Sequence, residues 1–222
     1  MRIIYVKKHG THTNSSFIFK LNHCRDIILF NCSESLQSYI VIKQMRINHI
    51  SRIIITNLDI SNLSGLLGLL SSLNLIGRVK DLHIYGPKGL SSYIDLCKKY
   101  SHTNFKYMVY VHVLTNGLII NHNQYRIYMF ISIDYFDFFM VASEISGKFL
   151  IQQANQQNLF PGPLYSQLKK GFTFILPDGL ILDGFKFTSI NNQGCQFSFI
   201  LNSYYSRKLK EKLGESTILL YK

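Results

Sequence analysis

The sequence predicts an α/β fold. Between residues 26 and 100, short runs rich in Ile, Phe and Val alternate with longer stretches whose apolar residues recur at helical spacing. In residues 105–142, runs of aromatic and β-branched residues predict strands without intervening helices. Such an alternation of strand and helix signals is typical of α/β domains. With 47% hydrophobic and 16% charged residues, the 222-residue chain can bury a large core, and a disordered chain is excluded.

Each element follows from a local pattern. Turn residues bound the first three strands, which predict a small antiparallel meander. In the helix at 63–75, Gly65 and Gly68 would let the backbone approach the sheet closely. In chain order, we predict strands at 3–6, 16–21 and 26–30, a helix at 33–45, a strand at 52–56, a helix at 63–75, a strand at 81–85, a helix at 89–100, the β region at 105–142, strands at 172–176, 180–188 and 197–201, a basic helix at 205–213 and a strand at 217–221.

Charge and cysteine content narrow the class of protein. Lys and Arg number 24 against 12 Asp and Glu, a formal charge of +12, which would attract a polyanion such as RNA. A basic protein that is soluble for colloidal reasons would look the same.

The four cysteines show no CxxC spacing and are expected to be small buried hydrophobes in a reducing compartment. Acidic residues interrupt the most hydrophobic region, 127–147, so no membrane partner is expected.

Residue usage bears on location. Ile, Asn, Tyr, Phe and Lys abound, Ala occurs only at positions 142 and 154, and Trp is absent. Such a bias follows AT-rich codons, as in an organellar genome. Because a strand-like run begins at the first residue and no targeting leader precedes it, we expect the plastid (chloroplast) stroma, with the cytoplasm as the alternative.

A polar loop directly follows the strand at 52–56. It reads Thr56, Asn57, Leu58, Asp59, Ile60, Ser61, Asn62. Asp59 is its only charged residue, and together with the Asn57 carbonyl it could bind a hard cation weakly. We expect instead that the polar side chains form turn and cap hydrogen bonds at the start of the following helix.

This loop and three further segments resemble the ribonuclease Z family of the metallo-β-lactamase superfamily. The loop lies where the family has THxHxDH, and residues 30–37, FNCSESLQ, are similar to its FDCGEGTQ. Residues 66–89 end in the family's IYGPKG turn, and residues 160–171, FPGPLYSQLKKG, resemble its tRNA-binding arm. The resemblance implies a metallo-β-lactamase-like αββα sandwich, with two mixed sheets flanked by helices. It also implies a single domain over 1–222, an arm inserted at about 147–171 and a truncated carboxyl-terminal part.

The family's metal positions are altered in this chain. Zinc is held by thiolate, imidazole or carboxylate groups, which amide, hydroxyl and phenol groups replace poorly. The family cleaves tRNA precursors at the 3′ end with zinc-activated water, but here we expect no zinc, no other cofactor and no catalytic residue. The degenerate ligand positions implied by the resemblance are Asn57, Asp59, Ser61, Asn62, Tyr135 and Asn202.

The histidines offer no obvious replacement site. His9 and His12 have a spacing that metals tolerate, but their Thr-rich loop supplies no third ligand. The others look dispersed and unpaired, and we expect surface or satisfied polar groups at His23, His49, His83, His102, His112 and His122.

The arm implies an RNA partner. Its lysines suit phosphate contacts and its tyrosine suits stacking on a nucleotide, although a solvated basic loop would look similar. The resemblance implies tRNA or pre-tRNA as the partner. It also implies a homodimer, or pairing with an intact ribonuclease Z, because an arm on one subunit can present tRNA to another. The implied tRNA-binding residues are Lys148, Gly162, Pro163, Tyr165, Lys169 and Lys170.

These observations predict a catalytically inactive, tRNA-binding homologue in tRNA 3′-end maturation. A residual metal-dependent tRNA 3′ endonuclease that uses Asp59 is the first alternative. A decaying protein with no retained role is the second.

Overall fold

The computed structural model is an α/β sandwich of two sheets. It describes residues 2–5, 16–20, 25–131, 136–143, 147–177, 179–189, 194, 196–200 and 217–220. The strands in this part of the chain are β1 (Arg2–Tyr5), β2 (Phe17–Lys20), β3 (Ile27–Phe30), β4 (Ile50–Ile54), β5 (Leu82–Gly86), β6 (Val109–Val113), β7 (Gly117–His122), β8 (Tyr125–Ile131), β9 (Phe136–Ala142), β10 (Thr173–Ile175), β11 (Ile181–Asp183), β12 (Gln196–Ile200) and β13 (Thr217–Leu220). The helices are α1 (Leu36–Ile42), α2 (Ile60–Leu63), α3 (Leu66–Leu75), α4 (Leu90–Ser101), α5 (Ile151–Gln156) and α6 (Pro163–Lys169).

The first sheet has the strand order β1-β2-β3-β4-β5-β6. Its first three strands pair antiparallel, which confirms the predicted meander. Strands β3 to β6 run parallel. The sheet is therefore mixed, as predicted, and the parallel half places the ends of β4, β5 and β6 along one edge.

Helices from the described part of the chain cover the outer face of the first sheet. In α3, Leu66, Leu69, Leu70 and Leu73 are fully buried, at the spacing of a single helix face. They share one apolar core with residues of α1 and α4 and with the outward-facing side chains of the sheet, such as Ile84. Burial of this Leu stripe holds the helices on the sheet.

The second sheet has the order β13-β12-β9-β8-β7 and is also mixed, because only β12 and β13 pair in parallel. Its inner face packs on the inner face of the first sheet through a phenylalanine cluster. Phe199 of β12 stacks on Phe17 with ring centroids 4.4 Å apart and on Phe30 with centroids 4.9 Å apart. Aromatic rings at such distances add to the stabilisation from burial, so this cluster joins the two sheets.

Residues 147–189 form a small packing unit that we call the arm unit. It contains α5, α6, the β10–β11 hairpin and a 3₁₀ turn at Gly184–Phe187. Four buried residues form its own core: Ala154, Leu168, Leu182 and Phe187. The predicted arm at 147–171 is thus folded, and its packing extends to the hairpin that follows.

Two predicted elements were wrong in detail. The strand expected at 180–188 ends at Asp183, whose carboxylate accepts a hydrogen bond from the Phe185 backbone at 3.0 Å and starts the 3₁₀ turn. The helix expected at 63–75 is split, because α2 forms a separate turn before α3 begins.

The basic helix predicted at 205–213 lies outside the described residues. None of the helices in the described part of the chain has the length and apolar character that a membrane crossing requires.

Candidate functional site

The turn after β3 supports the start of the polar loop. Asn31 is buried and adopts a left-handed backbone with φ of 54°, which Asn tolerates better than most residues. Its side-chain oxygen accepts hydrogen bonds from the Thr56 backbone at 2.9 Å and from the Thr56 hydroxyl at 3.0 Å. A buried amide therefore fixes the first residue of the loop.

Backbone contacts with the same turn fix the end of the loop. Cys32 N donates to the Asn62 carbonyl at 2.8 Å, and Gly65 N donates to the Cys32 carbonyl at 2.8 Å. A Cβ atom on Gly65 would overlap the Ser33 carbonyl oxygen. The close approach expected at Gly65 is present, but the neighbour is this turn instead of the sheet.

Three of the predicted site residues bond to one another inside the loop. Asn57 Nδ2 donates to Asp59 Oδ2, and Asn62 Nδ2 donates to Asn57 Oδ1. The backbone of Asn62 donates to the Asp59 carbonyl at 2.9 Å, which confirms the expected turn. Asp59 lies at the N-cap of α2, where Ser61 is in the first turn, but the Asp59 side chain makes no capping hydrogen bond. The predicted capping hydrogen bond was wrong, because the Asp59 carboxylate accepts a hydrogen bond from the Asn57 side chain instead.

The remaining degenerate ligand positions, Tyr135 and Asn202, lie outside the described residues. The loop is therefore the part of the predicted site whose geometry is known.

The arm residues divide into exposed and packed groups. Lys148, Lys169 and Lys170 are exposed. Gly162 and Pro163 are exposed as well, and they start α6 as its N-cap and first residue. Proline suits that position because its missing N–H would have no partner inside the helix.

Tyr165 belongs to the packed group. Its ring lies against Phe149 with centroids 4.6 Å apart, and its hydroxyl donates to the Leu159 carbonyl at 2.6 Å. The ring thus holds α6 on the segment that precedes α5. Sequence reasoning missed Lys186, an exposed cation on the 3₁₀ turn that packs against α6.

Comparison with known proteins identifies the family. No family model matches the chain. A ribonuclease Z from Nostoc sp. is 30% identical over 210 residues, 93% of this chain and 65% of that protein. The uncharacterized protein ycf56 of Pyropia yezoensis is 35% identical over 206 residues, 90% of this chain and 77% of that protein. The crystal structure of the short form of human tRNase Z superposes with a TM-score of 0.52 at 24% identity, over 63% of this chain and 64% of that one.

The chain belongs to the ribonuclease Z-like family. The predicted membership of the ribonuclease Z family is confirmed, as is the metallo-β-lactamase fold. The chain spans about two thirds of the length of the ribonuclease Z proteins that it matches.

The loop of this ribonuclease Z-like chain does not fit the family's zinc. It offers amide oxygens and one carboxylate where zinc takes imidazole, thiolate or carboxylate ligands. The Asp59 carboxylate already accepts a hydrogen bond from Asn57, and the Asn57 amide oxygen already accepts one from Asn62. Among the described residues, no three His, Cys, Asp or Glu side chains come together as a metal-binding group.

A second polar cluster lies between the two sheets of this ribonuclease Z-like fold. His83 Nδ1 and His112 Nε2 are 3.0 Å apart, so two histidines that were expected to be unpaired form a pair. That expectation was wrong. Tyr110 stacks on His83 with centroids 5.2 Å apart, and Tyr85 stacks on His112 with centroids 4.7 Å apart.

Arg52 links this cluster to the second sheet. Its guanidinium donates to the Tyr125 hydroxyl and lies 3.8 Å from the Asp26 carboxylate. Partial burial lowers the pKa of His83, and the neighbouring His112 and Arg52 lower it further. No local pattern in the sequence predicts this pair, because the strand register alone brings together residues 29 positions apart.

Proposed function

We propose that this chain is a tRNA-binding member of the ribonuclease Z-like family that has lost zinc-dependent hydrolysis. The observation that carries the proposal is the loop at residues 56–62, which keeps its position after β4 while its polar side chains bond to one another. The arm unit supplies the RNA contact.

Exposed cations support tRNA binding. Lys148, Lys169 and Lys170 lie on the arm unit with exposed side chains, and Lys186 adds a fourth cation there. The chain as a whole carries a formal charge of +12. Lysine ammonium groups on an accessible surface bind phosphates and release counterions, which gives salt-sensitive affinity for RNA.

The chemistry of the loop supports the loss of hydrolysis. Activation of water requires a metal or a positioned base. Ser61 stands where the family has its acidic residue, and a hydroxyl at its ordinary pKa is a poor base. An inactive arm-bearing chain would then act on tRNA together with an intact ribonuclease Z or a second copy of itself.

The relatives and the composition support a location in the plastid. The ycf56 proteins of two red algae, Porphyra purpurea and Pyropia yezoensis, cover 90% of this chain at 33% and 35% identity. These plastid-genome relatives and the AT-biased residue usage support a plastid-encoded protein of the stroma.

One observation favours a second candidate, residual metal-dependent tRNA cleavage. The buried side-chain oxygen of Asn62 has no hydrogen-bond partner among the residues that the structure describes. With Asp59 it would give a hard cation two oxygen ligands, which is fewer than such ions normally take.

Binding is tested with a pre-tRNA that carries a 3′ trailer, in a gel-shift assay at several salt concentrations. Lys169→Ala/Lys170→Ala should weaken binding and reduce the slope of log K against log salt by about 2, one unit for each lost phosphate contact. Lys80→Ala/Lys106→Ala removes the same charge from the loops that precede β5 and β6 and is the matched control. Equal losses of affinity in both variants would mean that net charge alone causes binding, and they would reject the arm unit as the RNA-binding surface.

Cleavage is tested with the same RNA in the presence of Zn²⁺ or Mn²⁺. We expect no product from the wild type. Cleavage that disappears in Asp59→Ala, prepared in parallel, would overturn the proposed loss of hydrolysis and establish the second candidate.

A further inference from the structure

The His83–His112 pair is built by the sheet. His83 lies on β5 opposite Tyr110, and His112 lies on β6 opposite Tyr85, so the two imidazoles are diagonal neighbours on one face. Their rings are inclined by 22° with centroids 5.3 Å apart. Their facing nitrogens are 3.0 Å apart.

Tyrosine rings bound the pair on both sides. The Tyr110 ring is inclined by 16° to His83, and the Tyr85 ring is inclined by 20° to His112. Both histidines are half-buried, so one side of the pair remains open to solvent. The stacked tyrosines keep the imidazoles on the same face, where His83 Nδ1 and His112 Nε2 lie 3.0 Å apart.

We propose that His83 and His112 form a two-imidazole site for a borderline divalent transition-metal ion, Zn²⁺ or Cu²⁺. This site uses no residue of the polar loop and lies outside the family's metal motif. Imidazole is a ligand that suits zinc and copper, and Cu²⁺ should bind most tightly because it leads the affinity order of these ions.

The distance between the nitrogens is close to what such an ion needs. Two nitrogens at about 2.1 Å from a tetrahedral zinc are about 3.4 Å apart. The observed 3.0 Å therefore needs to widen by only about 0.4 Å, with a rotation of the rings about Cβ–Cγ, a torsion that is soft.

Proton balance is simple. The hydrogen bond between the rings means that one facing nitrogen carries the proton and the other a lone pair. Metal binding needs lone pairs on both, so the donor ring moves its proton to its other nitrogen. Neutral rings thus accept the ion with no net release of protons.

The surroundings limit the affinity. No third His, Cys, Asp or Glu of the described residues joins the pair, so water must complete the coordination. Arg52 opposes a cation, although the nearby Asp26 carboxylate offsets its charge. A site with two of the usual four ligands is expected to bind with a Kd on the order of 1–100 µM.

The test is a titration of the full-length protein with Cu²⁺ and with Zn²⁺ by calorimetry at neutral pH. We expect one site in the wild type and an affinity more than about tenfold lower in both His83→Gln and His112→Gln. The matched control is His102→Asn, at the C-cap of α4, where φ of 49° suits Asn. It should bind as the wild type does.

A second variant excludes another source of binding. His9→Gln/His12→Gln removes the pair in the amino-terminal HGTH segment and should leave the titration unchanged. Loss of binding in that variant, or none in the wild type, would overturn the proposal.

Nitrogen hyperfine splitting in the Cu²⁺ electron paramagnetic resonance spectrum of the His9→Gln/His12→Gln variant gives a second readout, because this variant keeps both His83 and His112. We expect two imidazole nitrogens. If His83→Gln or His112→Gln fails to fold, this spectrum still tests the proposal, because a spectrum without two imidazole nitrogens rejects it.

Discussion

The polar loop at 56–62 and the arm unit at 147–189 hold their polar side chains in opposite ways. In the loop, Asn57, Asp59 and Asn62 bond to one another, and the turn after β3 fixes both ends of the segment. In the arm unit, apolar side chains form the core and the lysines are exposed. The polar side chains of the loop therefore stabilise the loop itself, whereas the arm unit exposes charged side chains that a partner can contact.

The largest effect on stability should come from a substitution of Gly65, because the neighbouring backbone leaves no space for a side chain there. In Gly65→Ala the new Cβ meets the Ser33 carbonyl, and we expect unfolding to become easier by about 3 kcal/mol. Gly68→Ala is the control, since its Cβ would meet only the end of the Gln37 side chain at 3.1 Å and alanine favours the helix. Urea unfolding measures both. Equal stability of the two variants would mean that the turn after β3 can move away from Gly65 at little cost.

Asn31→Ala should cost about 2 kcal/mol. It leaves the buried backbone N–H and hydroxyl of Thr56 without an acceptor and places alanine in a left-handed backbone. Asn57→Ala, in the exposed part of the loop, should change the free energy of unfolding by less than about 0.5 kcal/mol. If Asn57→Ala proved the more destabilising, the side-chain hydrogen bonds in the loop, and not the turn below it, would carry the structure.

A smaller effect is expected in the arm unit. Tyr165→Phe removes the hydrogen bond to the Leu159 carbonyl and should destabilise the protein by about 1 kcal/mol. Because the ring still packs on Phe149, tRNA binding should hardly change, which a gel shift checks. A tenfold loss of binding would instead assign the hydroxyl to RNA.

The smallest effect is a difference in chemical reactivity. Complete burial raises the pKa of the Cys32 thiol far above its usual range, so Cys32 stays protonated and unreactive at pH 8. Peptide mapping after iodoacetamide treatment should find Cys97, which is half-buried, modified and Cys32 intact. Modification of both in the native protein would show that the turn below the loop opens.

Local patterns predicted the strand and helix order and the position of the loop, because each depends on the spacing of apolar residues and on turn signals. The polar side chains of the loop were predicted to form turn and cap hydrogen bonds, whereas the structure has side-chain hydrogen bonds among Asn57, Asp59 and Asn62. Whether a carboxylate caps a helix or meets a nearby amide depends on a balance of a few tenths of a kcal/mol to about 1 kcal/mol.

Tertiary register explains the rest. The His83–His112 pair depends on how β5 and β6 align, and that alignment is set by the core beneath them. The 3₁₀ turn at Gly184–Phe187 arises where Gly184 lies against the backbone of Leu168, a contact that no local pattern encodes. Tyr165 was predicted as a stacking residue from its neighbours, and only the folded arm unit shows its ring against Phe149.

The stack of Phe199 on Phe17 and Phe30 has a consequence for synthesis of the chain. The strands β2 and β3 of the meander meet Phe199 only when β12, which follows much later in the sequence, has been made. Contacts of such long sequence separation form late and slow folding. During translation, the part of the inner face that Phe199 covers is therefore open to water until β12 has left the ribosome, and chaperones would be needed most in this interval.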